Sequence, residues 1–108
     1  MTDDRTRHAL TVGRGVIAEL VGQAALEVPG VMRVGRGGSA VRRFFLGSPV
    51  SVRFDDERVR VRLWIVARPG HEIGPLTRQV GTAVAATVER LLGLELAEVT
   101  VLVDGVGN

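Results

Sequence analysis

The chain has 108 residues and no cysteine, which leaves room for one core and excludes a disulfide framework, thiol catalysis and thiolate metal sites. Its net charge is only +2, yet the isoelectric point is near 10.9, because all 14 basic residues are arginine and none titrates below pH ~12. No apolar run reaches the roughly 18–20 residues of a membrane span, and "MTDDRTRHA" carries acids where a signal peptide needs a basic start, so the expected address is the cytoplasm.

Residues 1–8 are polar and are expected to form a disordered tail ahead of a single domain over 9–108. "ALTV" at 9–12 suits a short extended lead-in. Gly13-x-Gly15-x-x-Ala18 then fits the glycine pattern of a dinucleotide site, in which a pyrophosphate rests on a helix N-terminus. That site also needs an acid about 20 residues further on, and no acid occurs between Val28 and Phe54. The glycines therefore read as a turn and a helix start. Val16, Ile17, Leu20, Val21, Ala24 and Val28 recur at helical spacing from Gly15 to Val28, and Pro29-Gly30 stops the run.

"VMRVGRGGSAVRRFFLGSP" reads as a loop, with room for a short strand at Val31–Val34. Two strands follow. In "VSVRF" Val50, Val52 and Phe54 alternate with Ser51 and Arg53. In "RVRVRLWIVAR" Val59, Val61, Leu63, Ile65 and Ala67 fall on one face, with Arg58, Arg60, Arg62, Trp64, Val66 and Arg68 on the other. A second helix is predicted from Glu72 or Pro75 to Leu92, its buried stripe being Ile73, Leu76, Val80, Val84, Val88 and Leu91, with Gly93 as its cap. Gly81 inside it implies a close approach of another element. "EVTVLV" makes the last strand, with Val99, Val101 and Val103 inward and Thr100 and Leu102 outward. The order α-β-β-α-β predicts a two-layer α+β domain, a three-stranded sheet with two helices packed on one face.

Catalytic groups are sparse. His8 lies in the tail and His71 precedes the second helix, with no second histidine at metal-ligand spacing. Asp55, Asp56 and Glu57 read as a solvated turn, and no carboxylate pair sits in apolar surroundings as acid/base work requires. No catalytic residue, cofactor or metal site is assigned, and the chain is expected not to be an enzyme. The outer face of the sheet is the candidate. There Arg53, Arg60 and Arg62 share a surface with Trp64, Val66 and Leu102, an apolar patch rimmed by guanidinium groups of the kind that marks an interface. The arginines of the glycine-rich segment, Arg33, Arg36, Arg42 and Arg43, are a secondary contact suited to an anionic surface. The same basic face would also suit single-stranded nucleic acid, although one outward tryptophan is a thin stacking platform.

The order of features, with "EVPGV" after the first helix, "VSVRF", "RVRVRLWIVARPG", the long helix into Gly93-Leu94 and the ending "VTVLVDGV", resembles the alkaline-shock, general-stress (Gls-type) family of bacterial envelope stress response proteins over residues 10–106. Family members often carry a tyrosine before the glycine ahead of the second helix, where this chain has Pro69. The resemblance implies a non-catalytic cytoplasmic scaffold that self-associates, as a homo-oligomer, and docks to a small membrane-anchored partner. It would lie peripherally at the inner membrane face, with an anionic lipid surface as a further contact. The alternative is a small nucleic-acid-binding domain using the basic sheet face.

Overall fold

The computed structural model describes residues 13–35, 49–55, 58–93 and 95–107. The tail at 1–8, the lead-in at 9–12, Phe44-Phe45, and Arg36, Arg42 and Arg43 lie outside the described residues. In chain order the elements are α1 (Arg14–Leu26), β1 (Val31–Val34), β2 (Val50–Asp55), β3 (Arg58–Ala67), α2 (Ile73–Leu92) and β4 (Glu95–Val106).

Local chemistry sets the helix ends. Gly13 precedes α1 with φ of 93°, a conformation that glycine adopts without a Cβ penalty, so the paired glycines do open a helix. Beyond α1 the Val28 N–H donates to the Ala25 carbonyl at 3.1 Å, and Pro29 cannot extend the ladder. Pro75 stands in the first turn of α2, where an N–H would have no intrahelical partner. Gly93 closes α2 in the left-handed conformation, φ 65°, and its N–H donates to the Glu89 carbonyl at 3.0 Å.

β3 is the centre of the sheet. β4 runs parallel along one of its edges, reached through α2, while β2 and then β1 lie antiparallel along the other. Leu63, for example, stands between Val50 and Val101. The segment Val31–Val34 is therefore a fourth strand, where the sequence predicted a sheet of three. It continues the edge that β2 leaves at Leu63, so the sheet stays three strands wide.

The period-2 pattern of β3 sorts its side chains as expected. Val59, Val61, Leu63, Ile65 and Ala67 are buried with Val50 and Val52 beneath Ile17, Val21 and Ala25 of α1 and Leu76, Val80, Val84 and Val88 of α2. Val99, Val101 and Val103 pack at the margin of the same cluster. Three residues predicted for the buried stripes are exposed instead: Val16 at 47%, Ile73 at 40% and Leu91 at 49%. A helix lying on a sheet buries only the stripe that faces it, and these residues flank that stripe. The expected tight approach falls at Gly30 and not at Gly81. A Cβ on Gly30 would stand 2.6 Å from Leu76 Cδ1 and 2.9 Å from His71 Nδ1, whereas one on Gly81 would meet nothing within 4 Å.

Candidate interaction surface

With both helices on one face, the other face of the sheet carries the even-numbered residues of β3 and their neighbours. Three cross-strand rows follow from the register. Arg53 on β2 stands opposite Arg60, which stands beside Glu98 on β4. Ser51 stands opposite Arg62, which stands beside Thr100, and Trp64 stands beside Leu102. All of the arginines in these rows are exposed, and Trp64 and Leu102 are half-buried.

Between the first two rows lies a shallow depression of about 160 Å³, lined by Ser51, Arg53, Arg60, Arg62, Glu98 and Thr100. Its charges are arranged rather than scattered. The Arg60 guanidinium lies 3.5 Å from the Asp55 carboxylate, and both side chains are more than half exposed. The Thr100 hydroxyl donates to Glu98 Oε1 at 3.1 Å. Arg53 and Arg60 nevertheless face each other as like charges across a strand pair, an arrangement that costs stability. On the opposite, core-facing side of β2, the Arg14 guanidinium of α1 sits over the Phe54 ring, 5.4 Å from its centroid.

Val66, predicted to be part of the exposed face, is 3% exposed and does not belong to the surface. Its strand position does point outward. β1, however, carries an extra residue between Val31 and Arg33, so that Met32 bulges over this end of the face. Gly107, just beyond β4, lies against the Met32 thioether and Val66. Arg33, read as a loop arginine, is instead on β1 in register with Val66, and its Nε is buried without a hydrogen-bond partner among the described residues. The segment bearing Arg36, Arg42 and Arg43 is outside the described residues, but both its flanks are tied to one place. The Trp64 N–H donates to the Pro49 carbonyl at 2.9 Å, and the Gly35 N–H donates to the Trp64 carbonyl at 2.8 Å.

Glu98 and Asp55 are residues of this face that the reading of the sequence did not assign to it. Glu98 was within reach: carrying the outward alternation of Leu102 and Thr100 back by two positions arrives at it. Its partner was not, because Arg60 meets Glu98 only through a register shift in the β3–β4 pairing between Val59 and Arg60. The face is therefore mixed in charge rather than uniformly basic. Among the described residues, no three of histidine, aspartate and glutamate cluster as a metal site would require, and no helix is long and apolar enough to cross a membrane.

Comparison with known proteins adds a family and a fold. The model of the alkaline shock protein 23 family, described as having a cell envelope-related function, matches residues 2–108. No curated protein matches the chain. Among solved structures, a MamM CTD variant in a manganese form superposes with a TM-score of 0.54 and 18% identity, covering 84% of this chain and 96% of that one. A zinc form of a MamM CTD variant gives 0.54 and 16%, covering 84% of each chain. At such identity the likeness is one of fold.

Proposed function

The chain belongs to the alkaline shock protein 23 family, and from that premise we propose that it is a non-catalytic scaffold that self-associates and docks to a membrane-anchored partner through the outer face of its sheet. One observation carries the reading. In a two-layer domain the uncovered sheet face is normally polar throughout, yet here the chain's single tryptophan stands half-buried beside Leu102 at the end of the arginine rows. Tryptophan and arginine are enriched among the side chains that dominate interface energetics, since both bring large contact area and directional polar groups.

The charge pattern favours a protein partner over a polyanion. A nucleic acid or an anionic bilayer would meet Glu98 and Asp55 along with the arginines, whereas a protein can present complementary charges row by row. A second copy of the chain is one such protein, because a two-fold interface can set the arginines of one sheet against the acids of the other. The peripheral placement at the inner membrane face comes from the partner in this reading.

The test is sedimentation velocity of the wild type and Trp64→Arg, with and without a labelled single-stranded RNA, at low and near-physiological salt. The expected result is self-association without RNA co-sedimentation at the higher salt, lost in Trp64→Arg while the far-UV circular dichroism stays unchanged. Identical oligomer distributions in the two proteins would sink the proposal, and a monomer that carries RNA at both salts would replace it with the nucleic-acid reading.

A further inference from the structure

We infer that the depression between Arg53, Arg60 and Arg62 is a carboxylate-binding site that takes an aspartate or glutamate of an extended partner segment; this rests on the docking reading above and names the chemistry of what docks. The argument begins with a cost. Arg53 and Arg60 are directly opposite each other in the β2–β3 pairing, and Arg62 follows on the same face. Directly opposed like charges destabilise a sheet, and a strand of this length could carry serine or threonine at position 53 as it does serine at 51. A repulsion kept where no packing demands it marks a site whose occupant relieves it.

The depression has the donors that a carboxylate needs. Three guanidinium groups, each able to form a two-pronged hydrogen-bonded pair, surround it together with the Ser51 and Thr100 hydroxyls. The lining keeps a net positive charge: Arg53, Arg60 and Arg62 stand there against Glu98, while Asp55, 3.5 Å from Arg60, also stands directly opposite Arg58. That excess suits an acidic side chain. A bilayer headgroup fits less well, because its negative surface would approach Glu98 and Asp55 together with the arginines.

The neighbouring row says what surrounds that carboxylate. Trp64, beside Leu102, is two residues along β3 from Arg62. Side chains two apart on an extended strand are separated by about 6.6 Å and share a face. A partner strand lying over the sheet therefore sets an acid on the arginines when the residue two positions away sets an apolar side chain on Trp64. The recognised segment is thus an acidic residue with an aliphatic one two positions away, on the same face of the extended chain.

The full chain is titrated with a short fluorescein-labelled peptide of Glu-Ser-Val-Ser repeats, which sets glutamate and valine two residues apart on one face, with its glutamine counterpart, and with vesicles of phosphatidylglycerol and phosphatidylcholine. Peptide anisotropy and the emission of Trp64, the only tryptophan, are read together. The expected result is saturable binding of the glutamate peptide, weakened about tenfold or more by glutamine in the peptide and by either Arg53→Gln or Arg62→Gln. Arg53→Gln should melt no lower than the wild type, which separates loss of the site from loss of the fold. Equal binding of the two peptides, undiminished binding by both variants, no peptide binding, or binding to the vesicles alone would each overturn the inference. None of these outcomes depends on the oligomer distribution, so a chain that self-associates through Trp64 and ignores the glutamate peptide refutes the carboxylate site alone.

Discussion

The two faces of β3 are built from one stretch of sequence and obey opposite rules. On the inner face Val59, Leu63 and Ile65 have no exposed surface and belong to one apolar cluster. On the outer face, one residue along each time, Arg58, Arg60 and Arg62 are exposed, and Arg60 tolerates a like-charged neighbour, Arg53, directly opposite. The inner face is selected for packing, where each side chain is constrained by volume. The outer face is selected against what stability alone would choose. The contrast teaches that function in this fold is to be sought where the pattern is costly, and it can be broken or sharpened by substitution.

The largest effect is expected on the inner face. Leu63→Ala removes a fully buried side chain from the middle of the central strand, between Val50 and Val101, and should cost about 2–5 kcal/mol in urea unfolding. A loss as small as that of an exposed-site substitution would mean that this face is not a packed core. Gly30→Ala comes next. The new methyl would overlap Leu76, itself buried, and the His71 ring, at a point where the Gly30 carbonyl also accepts the Arg68 N–H at 2.8 Å. Overpacking of this kind should cost about 1–3 kcal/mol by the same measurement. The glycine of "EVPGV", one of the residues that carried the family resemblance, is thus explained by close approach.

Much of this was legible in the sequence, and the misses share a cause. The alternation in "RVRVRLWIVAR" is local, since a strand's two faces follow from its own residues, and both β3 and its outward arginines were recovered from it. The helix ends were local too, set by Gly13, Pro75 and Gly93. What escaped reading depends on pairing between distant segments. The sequence left room for a short strand at Val31–Val34, but its place, on the edge of β3 that β2 leaves free, is set by that pairing. Val66 keeps its outward parity but is covered by Met32, whose position comes from a bulge in β1. Glu98 reaches Arg60 through a register shift that no periodicity encodes. Gly81 was assigned a packing role that Gly30 fills, because glycine composition alone does not say where another element approaches.

Gly81 therefore supplies the next prediction. It lies within α2, does not need a left-handed conformation, and has open space where a Cβ would stand. Gly81→Ala should raise stability by about 0.5–1 kcal/mol, chiefly by narrowing the unfolded ensemble. A destabilised variant would show that the helical layer is as tightly fitted as the sheet beneath it.

The smallest expected effect bears most directly on the difference between the faces. Arg53→Gln keeps the length and most of the hydrogen-bonding capacity of the side chain while removing its charge. If the outer face were only a solvated surface, the substitution would leave stability unchanged, or lower it slightly through lost contact of the aliphatic stem. Because Arg53 stands directly opposite Arg60, relief of repulsion should instead raise stability by a few tenths of a kcal/mol at low salt. The gain should shrink as salt is added, since both charges are exposed and screening extends over about 10 Å at 0.1 M. The measurement is the urea midpoint of wild type and variant at two ionic strengths. A gain that vanishes with salt identifies the pair as an electrostatic cost that the isolated chain bears. A loss at both ionic strengths would mean that Arg53 is held by its own contacts, and the contrast between the faces would then rest on Trp64 and Leu102 alone.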